Sequence, residues 1–273
     1  MIVIKLIGGL GNQMFQYATA KAIALHKNTT LKLDVSAFEN YDLHDYSLDH
    51  FNITAKKYQQ PPKWLKKIQN KLKPKTYYNE ESFRYNSFLF DSNAKTILLN
   101  GYFQSEQYFL KYREEIIKDF SITSPLKPET KALLQKVHKT NAVSIHIRRG
   151  DFLKHDVHNT FKEEYYKKAM KTIESKIDNP TYYLFSDDMP WVKLNFKSNF
   201  KTVYVDFNDA QTAFEDLVLM SNCKHNIIAN SSFSWWAAWL NTNPSKIVIA
   251  PEQWFNGNKY DYTDVVPETW VKI

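Results

Sequence analysis

His146-Ile147-Arg148-Arg149-Gly150-Asp151 follows directly on Ala142-Val143-Ser144-Ile145, an apolar run that reads as a buried β-strand. Two arginines, a glycine and an aspartate therefore fall at the carboxyl end of that strand, where open α/β sheets bind ligands. Guanidinium groups are planar, permanently charged and forked, which suits the oxygens of a phosphate or pyrophosphate. Gly150 allows a tight turn or a close backbone approach. Asp151 sets a base or an orienting carboxylate beside the positive charge. The competing reading is a surface arginine pair neutralised by Asp151.

The pattern around this stretch alternates. Strands are expected at 142–147, 181–185, 201–205, 226–230 and 246–250, with helical spacing at 163–177, 212–223 and 232–241. Strand–helix alternation predicts a mainly parallel, doubly wound sheet. The amino-terminal part opens as a βαβ unit. Ile2–Ile7 is an apolar run broken at Gly8-Gly9-Leu10-Gly11-Asn12-Gln13. Met14, Phe15, Tyr17, Ala18, Ala22 and Ile23 then recur at helical spacing, and Thr30–Val35 is the next strand. Thr96–Leu99 is a further strand. Pro125 and Pro128 flank a boundary between halves, giving domains 1–125 and 126–273.

With 273 residues the chain suits one large or two ordinary domains. Its hydrophobic share of 43% and charged share of 24% are those of a globular protein. A formal charge of +7 favours anionic partners. Charge is all that a nucleic-acid reading would rest on, so no nucleic acid is expected as partner. One cysteine, Cys223, cannot form an intrachain disulfide, and no run of 18 apolar residues exists. The short apolar start lacks a cleavage site, and a cytoplasmic protein is expected. Residues 56–75 hold eight lysines and no acidic residue. Trp64, Leu65, Ile68 and Leu72 share one helical face there. Such a basic amphipathic helix either lies on the inner face of an anionic membrane or packs its stripe on its own domain.

Three more segments carry chemistry. Gly8–Gln13 lies between strand and helix and partly matches a dinucleotide fingerprint, with Met14 where the third glycine would stand. Asn12 or Gln13 would offer amide contacts on the acceptor or sugar side, or the glycines simply make a tight turn. Phe185-Ser186-Asp187-Asp188 ends the strand beside the arginines. Its carboxylates would bind sugar or ribose hydroxyls, order the arginines, or cap a helix. Asn230-Ser231-Ser232-Phe233-Ser234-Trp235-Trp236 opens a helix whose N-terminus could take an anion or be capped by Ser231 or Ser232. Trp235, Trp236 and Trp239 read as packing residues. The eight histidines show no paired ligand spacing, and there is neither a cysteine cluster nor an Asp-x-Asp triplet, so no metal or other cofactor is expected. No Walker loop or Gly-x-Ser-x-Gly elbow appears.

Gly8–Phe15, His146–Asp151, Phe185–Asp188 and Asn230–Trp236 together resemble the α-1,2-fucosyltransferases of glycosyltransferase family 11. The resemblance spans residues 8–241. It implies an α/β GT-B architecture, two Rossmann-like halves facing a cleft. The first half would serve the acceptor and the second GDP-β-L-fucose. It implies inverting, metal-independent transfer to the O2 hydroxyl of a galactose in an oligosaccharide or lipid-linked glycan. Donor binding would fall to His146, Arg148, Arg149, Asp187, Asp188, Asp216, Ser231, Ser232 and Phe233. Arg148 would neutralise the leaving diphosphate, Ser231, Ser232 and the Phe233 amide would hold it from the other side, and His146 and Asp216 would read guanine. Without the resemblance, Asp216 is a solvent-facing carboxylate beside Glu215. The base is open between Asp151, Asp156 and His155. Arg149 beside Asp151 favours its ionised form, which makes it a better orienter than base. The alternative function is a non-catalytic nucleotide or anion binder using the same arginine and serine site.

Overall fold

The computed structural model describes residues 1–40, 44–59, 76–150, 157, 162–257 and 259–273. The chain forms two compact units. One holds Met1–Ser124 with Asp261–Pro267, the other Pro125–Tyr260 with Glu268–Ile273. The return of Asp261–Pro267 to the first unit departs from the single 126–273 span expected of the second half. It is held there by Asp264, whose carboxylate accepts from Tyr85 N at 2.9 Å.

The first unit contains β1 (Ile2–Lys5), α1 (Leu10–His26), β2 (Leu31–Asp34), β3 (Lys56–Lys57), β4 (Thr76–Asn79), α2 (Phe88–Asp91), β5 (Ile97–Asn100) and α3 (Arg113–Asp119). Its strands run parallel in the order β3-β2-β1-β5-β4. Gly8 turns the chain from β1 into α1 with φ of +77°, a conformation open to glycine and costly for other residues. β3 begins the lysine-rich stretch. Lys56 and Lys57 thus pair with Lys32 and Leu33 in an extended edge strand, so they are not part of the helix expected over 56–75. Residues 60–75, which include the Trp64/Leu65/Ile68/Leu72 stripe, lie outside the described residues.

The second unit contains α4 (Pro128–His138), β6 (Asn141–Ile147), α5 (Glu163–Glu174), β7 (Pro180–Ser186), α6 (Met189–Asn195), β8 (Thr202–Tyr204), α7 (Ala213–Ser221), β9 (His225–Ile227), α8 (Ser232–Leu240), β10 (Val248–Ala250) and β11 (Val271–Lys272). Its parallel sheet runs β8-β7-β6-β9-β10-β11, the doubly wound order 3-2-1-4-5-6. β6 and β7 are in register over seven pairs, Asn141 opposite Pro180 to Ile147 opposite Ser186. Both strands are buried along nearly their whole length, as a sheet covered on two faces requires. Val143, Ile145, Ile147, Tyr166, Ile173 and Leu184 belong to the core cluster of α5 and the sheet. Trp235, Trp236 and Trp239 are at most 1% exposed and pack ring against ring with each other. They are core, in line with the reading of them as packing residues.

Candidate active site

The chain reverses direction across the second sheet between β6 and β9. A doubly wound sheet leaves a crevice at that point, outside the carboxyl ends of the strands. His146–Gly150 leave β6 there, and Asn230–Ser232 leave β9. Phe185–Asp188 leave the adjacent β7, with His146 opposite Phe185 in the register. Three polar motifs separated by dozens of residues thus meet on neighbouring strand ends.

The two arginines are held by the two aspartates that follow β7. Asp187 Oδ2 lies 3.2 Å from Arg148 Nε, and Asp187 Oδ1 accepts from Arg149 N at 2.9 Å. Asp188 Oδ2 accepts from Arg149 Nε at 3.3 Å. Asp188 also caps α6, its Oδ1 accepting from Trp191 N at 3.3 Å. Of the alternatives open in the sequence, the structure shows carboxylates that order the arginines, with one doubling as a helix cap. Gly150 is required by this packing. A Cβ at that position would stand 2.6 Å from Asp187 Oδ2.

His146 is 5% exposed, and its ring meets the Phe233 ring edge-on, centroids 5.7 Å apart. Burial, with the Arg148 charge nearby, pushes the imidazole pKa down to about 3, so the ring is neutral. Its buried Nδ1 has no hydrogen-bond partner among the described residues. Such an orphan costs about 1–3 kcal/mol unless a ligand satisfies it. On the far side of β6, Tyr166 donates its hydroxyl to His146 O at 3.0 Å and pins the strand end.

Ser231 stands at the N-cap of α8 without a side-chain capping bond. The first N–H groups of a helix have no intrahelical acceptor, and the helix dipole adds partial positive charge there. Ser231 is buried, whereas Ser232 and Phe233 are partly exposed. This terminus can therefore accept an anionic group.

Asp216, on α7, is partly buried rather than solvent-facing. Burial pushes its carboxyl pKa up to about 7, against the lowering effect of Asn208, whose amide donates to Oδ1 at 2.6 Å. Glu215 is 1% exposed and accepts from Lys127 N at 3.0 Å. Lys127 Nζ in turn bonds Phe207 O and Thr212 Oγ1, each at 3.2 Å. This lysine-centred scaffold around Asp216 joins residues 80 to 88 positions apart and left no signal in the sequence.

In the first unit, Gln13 is fully buried. Its amide donates to Gly8 O at 2.9 Å and Asp45 O at 2.8 Å, and accepts from Ser47 N at 2.9 Å. Both amide hydrogens and the carbonyl oxygen are engaged with main chain, so Gln13 holds the loop together, which leaves no amide hydrogen for the ligand contact expected of it. Asn12 accepts from Gln104 Nε2 at 2.9 Å and is only partly buried. Asp151, His155 and Asp156 lie outside the described residues. Among the described residues no three His, Cys, Asp or Glu side chains converge.

The model of glycosyl transferase family 11 matches residues 1–273. The chain is 35% identical to an α-1,2-colitosyltransferase of Escherichia coli over 100% of this chain and 99% of that protein. It is 33% identical to the O-antigen biosynthesis glycosyltransferase WbnK of the same species, covering 98% and 99%. The galactoside α-(1,2)-fucosyltransferase 2 of Rattus norvegicus is 27% identical over 88% of this chain and 67% of that one. Among solved structures, the fucosyltransferase NodZ from Bradyrhizobium superposes with a TM-score of 0.51 at 16% identity, covering 86% of this chain and 91% of that one. NodZ α-1,6-fucosyltransferase soaked with GDP-fucose gives 0.50 at 17%, covering 88% and 92%. Both have the GT-B fold of two α/β units. With a parallel doubly wound unit, an arginine pair at its central strand end and a family match along its whole length, the chain belongs to glycosyltransferase family 11 and is a fucosyltransferase-like glycosyltransferase.

Proposed function

We propose that the protein transfers L-fucose, or a close deoxy analogue such as colitose, from a GDP-activated donor to the O2 hydroxyl of a galactose residue, giving an α-1,2 linkage with inversion. The observation that carries this is the convergence of Arg148, the orphaned His146 Nδ1 and the α8 N-terminus at the sheet's reversal point. The relatives supply the rest: α-1,2 regiochemistry recurs in the colitosyl and fucosyl enzymes, and GDP-fucose is the compound soaked into the NodZ structure.

In the reaction, the acceptor oxygen forms a bond to the anomeric carbon as the bond from that carbon to the diphosphate breaks. The electron pair leaves with the diphosphate. Arg148 meets the charge that develops there, and the N–H groups of Ser232 and Phe233 meet it from the helix side. Asp187 holds Arg148 in place before the reaction begins. The acceptor proton passes to a base for which Asp151, Asp156 and His155 are the candidates. Asp216 accepts from guanine N1–H and N2–H, and His146 offers its neutral imidazole to the nucleotide. Charge neutralisation on this reading needs no metal.

A donor-by-acceptor screen read by mass spectrometry tests it. GDP-fucose and GDP-colitose are offered with galactose-terminated oligosaccharides, and the product linkage is read by NMR. Product from neither donor, with GDP bound all the same, would instead favour a non-catalytic nucleotide binder.

A further inference from the structure

Trp191 sits on the first turn of α6, three residues beyond Asp188. Its ring lies under the Arg149 guanidinium, with Arg149 Cζ 3.8 Å from the ring centroid. Among the described contacts, Arg149 is held by Asp187 at its main-chain N, by Asp188 at its Nε and by the Trp191 ring at its guanidinium. The arginine side chain is only 15% exposed. Neutralising the charge would need one carboxylate. The two carboxylate contacts fix the main chain and the Nε end, but neither fixes the plane in which the fork lies. A face-on aromatic ring does, because a guanidinium stacks parallel to it. Asp188 ties the parts together, since the carboxylate that caps α6 at Trp191 N also takes Arg149 Nε.

We propose that Trp191 is a positioning residue for donor binding. Its indole face sets the plane of the Arg149 guanidinium so that the fork meets a diphosphate oxygen of the nucleotide sugar. The inference rests on the GDP-donor reading above. Trp191 also packs against the sheet's core cluster, so loss of volume must be separated from loss of the ring face.

The test compares Trp191→Leu, which keeps apolar volume without a π face, with Trp191→Phe, which keeps a face. GDP affinity is measured by calorimetry, with unfolding followed by circular dichroism. Trp191→Leu is expected to weaken GDP binding about tenfold, and Trp191→Phe less than threefold. The Leu variant should also raise the donor KM more than it lowers kcat. In an Arg149→Gln background, Trp191→Leu should add less than twofold, because its partner is already gone. Equal GDP affinity in Trp191→Leu and wild type overturns the proposal. So do equal losses in the Leu and Phe variants, which would indicate packing alone, and so does full additivity with Arg149→Gln. Failure of the wild-type protein to bind GDP at all would sink the donor reading and this inference with it. That failure appears in the wild type, whereas the others appear only in the variants.

Discussion

Gly150→Ala is a one-carbon change that probes the arrangement of both arginines. The added Cβ would stand 2.6 Å from Asp187 Oδ2, where ordinary contact begins at 3.4 Å, so the carboxylate must retreat by about 0.8 Å. That same oxygen faces Arg148 Nε at 3.2 Å, and its twin accepts Arg149 N at 2.9 Å. Hydrogen bonds run about 2.7–3.2 Å, so a shift of this size breaks or bends the Arg149 N bond or loosens the Arg148 ion pair. A charge-assisted bond is worth about 1.5–3 kcal/mol, and a misplacement of about 1 Å near reacting groups costs on the order of 10²-fold in rate. We expect kcat/KM for glycosyl transfer to fall about 10²-fold while the melting temperature moves by only a few degrees, since Gly150 contributes nothing to the core. Asp187→Ala should cause a similar loss, and the double variant should be little worse than either single one. Steady-state transfer to a labelled acceptor, with thermal melts alongside, checks this. If Gly150→Ala keeps more than half the wild-type kcat/KM, the Asp187 carboxylate is not setting the arginines and the reasoning fails.

Arg148→Lys should cost about 10²–10³-fold in kcat in a folded protein, because lysine keeps the charge but loses the fork and the Asp187 contact; retention of half the rate in the transfer assay would remove Arg148 from this role. Transfer should persist in excess EDTA, and a strict Mg²⁺ or Mn²⁺ requirement, restored on adding the metal back, would overturn charge neutralisation by protein groups. Asp216 must be ionised to accept from guanine, and burial raises its pKa to about 7, so GDP affinity should fall as pH drops below 7, by up to about tenfold per unit. Asp216→Asn should flatten that profile, and a flat wild-type profile in calorimetry would free Asp216 from base recognition. The same raised pKa makes Asp216 a stability cost that grows as pH rises from about 4 to 7, so Asp216→Asn should gain stability over wild type at pH 8 and not at pH 4 in urea melts.

The parts of the fold that sequence reading reaches are those written in apolar runs. β6 and β7 begin and end within a residue of the expected 142–147 and 181–185, because buried central strands of a parallel sheet cannot carry exposed polar positions. The strands at 201–205, 226–230 and 246–250 are each shorter than expected, as the apolar runs continue into the turns. α4 escaped because Pro128 reads as a breaker, although proline suits the first turn of a helix, where its missing N–H costs nothing. β3 and β11 are two residues each, with exposed side chains, and carry no apolar run that sequence reading could find. Gln13 shows the limit at the level of a side chain. Beside a glycine turn, an amide aimed at a ligand and one spent on the loop's own carbonyls look the same until the fold brings Asp45 and Ser47 to it.

The arginine pair raises a subtler point about what attracts a diphosphate. Read along the chain, neutralisation by a carboxylate and binding of an anion look like rival fates for Arg148 and Arg149. The structure shows carboxylates on both side chains, Asp187 and Asp188, in a unit of matched charge. With His146 neutral, these four side chains and the imidazole carry no net positive charge. Bulk attraction at the strand ends is then weak, and if the site takes the proposed diphosphate, selectivity would come from where donors point. Fixed guanidinium planes and the free N–H groups of α8 cost no reorganisation when charge develops on the leaving group, whereas mobile lysines would have to be gathered first. On the proposed GDP-donor reading, the aspartates would serve the reaction by giving up attraction for order. On the same reading, that exchange accounts for two acidic residues at the end of β7, directly beside the proposed anion site.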